Sequence, residues 1–370
     1  MKILFVSNSL NGLFHFRMDV MMHLKSIGYE VVGVVPSSDR NKLDVNGLKI
    51  LYVPLHRTSK NFYHDLSFFF SLLRVFISEK PDYVFNYTVK PNIYATLAAR
   101  LFRVSSSMMM AGLGYPFSNN NLSSKLARGL YRVALNFSDN LLLLNESNVE
   151  SVKRLELCNS EKIIFLEGGE GVNLQRFQYH DNLSDKVCFI FVGRLLREKG
   201  VLDFLEAAGE IKRLYPKVGF QIAGSADIHS PCSLKPEEIE AIKTSDVVDY
   251  LGYIDMAKKL EDAGIVLVIP SYYPEGLNRS LMEGCAAGKP IITTNQPGCR
   301  ELVVDGVNGF LVPVQRPKVL ADAMLRYISL PDDKKRCMSI ESRRLAESRF
   351  NVENVYRIYE SILERAVKKQ

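Results

Sequence analysis

The chain contains no run of 18 apolar residues. The nearest, Leu66 to Ile77, is about 12 long and includes Arg74, too short to span a bilayer. Met1 to Val6 is apolar but gives way to Ser7-Asn8-Ser9 before a signal sequence can form. Cysteine is sparse: six residues, at positions 158, 188, 232, 285, 299 and 337, none in a C-x-x-C pair. That scatter excludes a zinc ribbon or a disulfide framework and fits a reducing compartment. Together these absences predict a cytoplasmic protein. The six histidines (His15, His23, His56, His64, His180 and His229) show no ligand spacing, so no metal and no cofactor is expected, and only His15, just after the first loop, is kept as a candidate. Also missing are G-x-x-x-x-G-K-[ST], G-x-S-x-G, H-E-x-x-H and the D-x-D of metal-dependent sugar transferases. No arginine-rich tract or basic-aromatic alternation points to nucleic acid.

What is present suits a globular protein of two domains: 370 residues, 47% hydrophobic and 24% charged. The net charge of +6 lies wholly in residues 1–180, while 181–370 balance. Such a bias is ordinary surface composition, or else attraction to an anionic membrane surface or a phosphate-bearing acceptor. In the first half, apolar runs at Ile3–Val6, Glu30–Val35, Ile50–Val53, Tyr83–Asn86, Ser107–Ala111, Asn140–Leu144 and Lys162–Leu166 alternate with helical patterns at Phe14–Ser26, Phe62–Glu79, Asn92–Phe102 and Ser123–Leu135. The pattern restarts at Val187–Val192, followed by a helix from about Lys199 and strands at Val218–Ile222, Val247–Leu251, Gly264–Ile269 and Pro290–Thr293. Helical patterns at Lys318–Leu330, Asp332–Arg349 and Val352–Lys369 close the chain. Alternation at this spacing predicts parallel sheets covered on both faces. The fold class is therefore α/β, two doubly wound Rossmann-like domains facing across a cleft and joined by the Gly-rich segment near 168–185.

Two constellations follow predicted strands. Glu275 and Glu283 stand eight residues apart around an expected helix start near Asn278. Unpaired N–H groups at such a start can hold a phosphate, and a carboxylate on each side can accept hydrogen bonds from sugar hydroxyls. A glutamate at a helix start is also common for the dipole alone. Arg194 and Lys199 straddle the loop after Val192, where two cations neutralise a diphosphate, Arg by a fork and Lys as a point charge. Arg197 is a third cation whose side the sequence leaves open. Ser7 to Gly12 follows the first strand, without G-x-G-x-x-G and without a suitably placed acid after the second strand, so a dinucleotide site is weakly supported.

Val192-Gly193-Arg194 to Lys199-Gly200, Tyr250-Leu251-Gly252-Tyr253, Pro270 to Gly276, Glu283, Pro297 to Glu301 and Asn308-Gly309 together resemble the retaining glycosyltransferases of family 4, which have the GT-B fold. Tyr87 to Asn92 and Gly112 to Tyr115 look like the subgroup acting in bacterial surface polysaccharide and lipid-linked oligosaccharide assembly. The resemblance implies a catalytic set of Arg194, Lys199 and Glu275. It implies donor contacts from Gly12, Gly252, Tyr253, Gly276, Leu277, Asn278 and Glu283, the last on the ribose. His15, Lys90 and Gly112 are acceptor-side candidates. The domains it implies are 1–175 for the acceptor and 186–350 for the nucleotide sugar, with the 351–370 helix packing back on the first. The family's first-domain histidine is absent here: the two stretches concerned read Val84-Phe85-Asn86-Tyr87 and Met110-Ala111-Gly112-Leu113.

The expected reaction is transfer of a sugar, by family habit from a UDP-sugar, to a hydroxyl of a glycan or polyprenyl-diphosphate-linked acceptor. A GT-B nucleotide-sugar 2-epimerase and an inactive nucleotide-sugar-binding subunit are the alternatives. Leu66–Ile77 and the basic helix around Lys125, Arg128 and Arg132 read as packed helices first and as peripheral membrane contacts second.

Overall fold

The computed structural model describes residues 1–40, 47–57, 59, 61–112, 122–181, 184, 186–227, 230, 232–273 and 275–368. The chain forms two compact units: Met1–Glu170 with Val352–Gln370, and Gly171–Asn351. Gly169 and Gly171, on either side of this boundary, both take positive φ.

In the first unit the strands are β1 (Lys2–Val6), β2 (Glu30–Pro36), β3 (Lys49–Val53), β4 (Tyr83–Tyr87), β5 (Ser105–Met110), β6 (Asn140–Leu143) and β7 (Ile163–Phe165). They pair in parallel in the order β3-β2-β1-β4-β5-β6-β7. The order reverses between β1 and β4, where an open α/β sheet leaves a crevice beyond its carboxyl ends. Helices α1 (Leu10–Ser26), α2 (Phe62–Glu79), α3 (Val89–Leu101), α4 (Leu122–Phe137) and α5 (Glu146–Arg154) connect them. Side-chain caps set three of the starts: Ser9 accepts from Gly12 N in α1, Asn61 from Tyr63 N in α2, and Asn145 from Asn148 N in α5. α5 carries little apolar pattern, which is why the sequence does not announce it.

α1 and the last helix, α12 (Val352–Val367), cover one face of this sheet through Leu13, Met21, Val355, Tyr359 and Ile362. Phe5 and Tyr359 stack there with Phe85 tilted against them, and the Tyr87 and Tyr359 hydroxyls meet at 2.9 Å. α2 and α3 pack on the opposite face over Leu4, Val34 and Val84. α4 continues that layer through Tyr131, Ala134 and Leu135.

In the second unit β8 (Cys188–Val192), β9 (Gly219–Ala223), β10 (Asp249–Gly252), β11 (Ile265–Ile269), β12 (Ile291–Thr294) and β13 (Gly309–Val312) pair in parallel as β10-β9-β8-β11-β12-β13. The reversal here is between β8 and β11. Helices α6 (Val201–Leu214), α7 (Pro236–Lys243), α8 (Met256–Lys259), α9 (Arg279–Ala286), α10 (Pro317–Ile328) and α11 (Asp332–Leu345) complete the unit. β11, the run Ile-Val-Leu-Val-Ile, is buried throughout, as a central parallel strand requires. α11 does not run on to Arg349 as one α-helix but ends in a π-turn at Ala346–Phe350.

Candidate active site

The loop between β11 and α9 gathers the first part of the site. Lys199 Nζ lies 2.5 Å from Glu275 Oε1, with both side chains close to buried. Ser271 Oγ and Asn278 Nδ2 donate to the same oxygen, each at 3.1 Å. The ammonium also sits 5.3 Å from the centroid of the Tyr273 ring. The cation and the carboxylate neutralise one another.

Local backbone holds that pair in place. Gly200 has φ 76° and follows Lys199; a Cβ there would come within 2.2 Å of the Pro270 carbonyl oxygen. Glycine is therefore needed both for conformation and for the close approach of this turn to the end of β11. The Glu198 carbonyl accepts from Tyr272 N and Tyr273 N, at 2.9 and 3.0 Å. Gly298, also at positive φ, receives Asn278 N on its carbonyl and donates its own N–H to Glu301. These contacts explain the Lys199-Gly200 and Pro297 to Glu301 motifs as supports for one loop.

α9 begins as the sequence predicts. Asn278 is its cap, accepting from Leu281 N at 3.1 Å. Leu277 is buried in the core rather than turned to solvent, so any ligand contact from it is through its main chain. Gly276 lies in the turn between Glu275 and that cap. Glu283 sits on the second turn of α9 and pairs with Arg279, whose Nε lies 2.9 Å from Oε1. Arg279 Nη1 donates to the Gly171 carbonyl. Arg279 was not among the residues expected from sequence, although its i,i+4 spacing from Glu283 is legible there.

Arg194 is placed differently. It is half exposed and pairs with Asp227 at 2.8 Å, a partner 33 residues away that no motif flags. Arg197, whose side the sequence leaves open, pairs with Glu238 at 2.5 Å. The Lys235 N–H, with Arg197 beside it, holds the Glu238 carboxyl below its usual range. At the carboxyl ends of β8, β9 and β10, Gly193, Gly224 and Gly252 stand side by side. Gly193 N donates to the Ala223 carbonyl and Gly224 N to the Gly252 carbonyl. A Cβ on Gly224 would come within 1.8 Å of the Gly193 oxygen, whereas one on Gly252 would meet nothing within 4 Å. Gly252 is thus required for its φ of 63°, not for space. Tyr253 beside it is 78% exposed.

In the first unit Gly12, His15 and Lys90 are each held by their own local contacts. Gly12 is not in a loop: it lies in the first turn of α1, with its N–H on Ser9 Oγ at 3.2 Å. The start of α1 is further occupied by Asp39, which accepts from Leu10 N at 2.9 Å where a phosphate would sit in a dinucleotide fold. Arg17, buried under Gly12, donates to its carbonyl at 3.0 Å, pairs with Glu170 at 2.8 Å and lies over the Tyr87 ring at 4.4 Å. His15 is exposed on α1 with its ring edge-on to Phe14. Lys90 directs its ammonium to the His56 and Ser59 carbonyls and to Asp65, at 2.8, 2.7 and 2.6 Å. An ammonium has three donors, so Lys90 braces the start of α2 rather than presenting a free cation. Gly112 lies in the bend after β5, and Leu113, Gly114 and Tyr115 fall outside the described residues, as do His229 and Pro274.

Thr88, between β4 and α3, carries φ 73° and a buried Oγ with no hydrogen-bond partner among the described residues. Sequence reasoning had no signal for it beyond its place after a strand. Among the described residues no group of three His, Cys, Asp or Glu side chains is arranged to hold a metal ion. The Cys285 and Cys299 thiols are pushed well up by burial, which makes them inert packing groups.

Residues 175–344 match the model of glycosyl transferases group 1, and residues 2–145 that of glycosyl transferase 4-like proteins. An N,N'-diacetylbacillosaminyl-diphospho-undecaprenol alpha-1,3-N-acetylgalactosaminyltransferase of Campylobacter jejuni is 27% identical over the whole of both chains. A UDP-Gal:alpha-D-GlcNAc-diphosphoundecaprenol alpha-1,3-galactosyltransferase of Escherichia coli is 26% identical, over 88% of this chain and 86% of its own. In fold, the chain resembles sucrose-phosphate synthase from Thermosynechococcus elongatus, with a TM-score of 0.81, 18% identity and full coverage of both chains. It also resembles Anabaena HepE in complex with UDP-glucose, with a TM-score of 0.79, 16% identity and coverage of 99% and 100%. With two parallel α/β units, a paired Lys199 and Glu275 at the mouth of α9 and these matches along its length, the chain belongs to the GT-B glycosyltransferases of family 4.

Proposed function

We propose that this enzyme transfers a sugar from a UDP-sugar, with retention of configuration, to a hydroxyl of a polyprenyl-diphosphate-linked glycan in bacterial polysaccharide assembly. The observation that carries the donor half is the Lys199–Glu275 pair at the mouth of α9. The acceptor class follows the activities for which the Campylobacter and Escherichia relatives are named, both on diphospho-undecaprenol glycans.

In this reading, Arg194, Lys199 and the first amides of α9 receive the diphosphate, while Glu275 is released to the donor sugar's hydroxyls. The bond between the sugar's anomeric carbon and the diphosphate oxygen breaks with its electron pair going to the diphosphate. The acceptor oxygen bonds to that carbon on the same face, and its proton passes to a diphosphate oxygen. Fixed cations and helix amides aimed at the developing charge are the source of the rate. The charge is carried by side chains, so the scheme requires no metal. Glu283 holds the ribose, and Gly252 with Tyr253 borders the base.

For the lipid side, α2 is apolar on both faces. Phe68, Leu72 and Phe76 are buried, while Phe62, Tyr63, Leu66, Phe70 and Ile77 are exposed at helical spacing. α4, in the same layer, exposes Leu126, Val133 and Phe137 and carries Lys125, Arg128 and Arg132 with no acid. No described helix is long and apolar enough to cross a membrane. A layer of this kind lies on an anionic bilayer as a peripheral contact.

Thermal-shift screening against UDP-, GDP- and ADP-sugars identifies the donor, because a bound ligand stabilises the fold by mass action. Incubation with that donor and a polyprenyl-diphosphate glycan should then give an extended glycan with α-anomeric retention. A new nucleotide sugar formed without acceptor would make the chain an epimerase. Donor binding without turnover across an acceptor panel would make it an inactive subunit.

A further inference from the structure

The first residue of α9 runs against helix electrostatics. Helix amino termini favour acids, yet α9 has no acid in its first turn and an arginine at its first position. The i,i+4 order is also the weaker one, with the cation amino-terminal and the acid four residues later. Helix stability therefore does not account for Arg279. Its contacts do: Nε reaches Glu283 Oε1 at 2.9 Å, and Nη1 reaches the Gly171 carbonyl. Both side chains of the pair are largely shielded, at 12% and 14% exposure.

We infer that Arg279 is a positioning residue for nucleotide recognition. One side of its guanidinium is anchored on main chain 108 residues away. The other holds Glu283 Oε1 through Nε, so the planar guanidinium ties carboxylate and main chain together in one orientation, as a point charge cannot. A vicinal diol is selected by a carboxylate held in one orientation, so the ribose is read only while Arg279 holds Glu283. The inference rests on the proposal that Glu283 takes the ribose.

Titration of the full-length protein with UDP, 2′-deoxy-UDP and 3′-deoxy-UDP tests it, with the base replaced if thermal shift selects another. Wild type should bind the ribonucleotide about tenfold more tightly than either deoxy form, the size of one charge-assisted hydrogen bond. R279Q should weaken UDP about tenfold and bring all three affinities within about twofold. R279K, which keeps charge without the fork, should recover part of both. In steady state the loss should fall on KM for the donor more than on kcat. R279Q and E283Q combined should cost little more than either alone, since both remove one interaction. If R279Q does not fold, R279K carries the comparison. A variant that keeps the wild-type preference for ribose overturns the inference and leaves Glu283 in its role; a wild type without that preference overturns both.

Discussion

The two units share an architecture but differ in where their chemistry is written. In the second, candidate residues sit in short motifs, and each motif has a local physical cause. Gly200 lies against Pro270, Asn278 caps α9, and Gly224 lies against Gly193. In the first unit the expected residues are scattered or occupied: Gly12 is inside α1, Lys90 is bound three ways, and the start of α1 is filled by Asp39. What distinguishes the first unit is instead an exposed apolar layer on α2 and α4. Binding a compact charged ligand demands particular side chains at particular positions, whereas lying on a surface demands only composition and exposure.

That contrast can be broken by experiment. The largest effect is expected from K199A, which should reduce turnover by about 10²–10³ with the fold intact, the size of losing one preorganised charge-stabilising donor. Turnover near wild type with a verified acceptor would remove Lys199 from the diphosphate role. Next come paired glycine substitutions. G224A must displace the Gly193 carbonyl and should cost about 3 kcal/mol or more, whereas G252A pays only for its left-handed backbone, about 1 kcal/mol. Equal losses in chemical denaturation would show that the close approach is not what selects glycine at 224.

The first unit is tested by its outer layer. F70E with I77E should lower sedimentation with anionic vesicles at least severalfold while leaving donor binding unchanged. Unchanged sedimentation would show that α2 makes no lipid contact. The smallest effect concerns Glu79, which Lys49 and then Lys2 hold below the usual carboxylate range. A depressed folded value means that its contribution is present above the unfolded value of about 4.3 and fades as pH falls through the folded one. The melting difference between wild type and E79Q should therefore be largest near neutrality, about 1 kcal/mol or less, and close in acid. A difference that grows on acidification would reverse that sign.

Much of the fold was readable because parallel strands are apolar runs and their helices have their own period. Phe62–Glu79 was expected with the ends it has, and the start of α9 at Asn278 followed from one residue type. The misses have physical reasons. α7 and α8 are short and polar, and β13 is a four-residue strand that opens on a glycine, so none stands out by pattern. Helix α1 starts at Leu10 rather than Phe14 because Ser9 and Asp39 satisfy its first amides, and Asp39 lies 29 residues away in sequence.

The amino-acid sequence alone determined the two α/β halves, the carboxylates spaced around a helix start, and the glycines at strand ends. These follow from local rules of period, capping and conformation. Only the tertiary structure decided which charge each residue meets: Lys199 with Glu275 across 76 positions, Arg194 with Asp227 across 33, and Arg279 on the Gly171 carbonyl across 108. It also decided that α2 keeps an apolar outer face. Partner choice and exposure depend on which elements fold against one another, and no window of sequence contains that information.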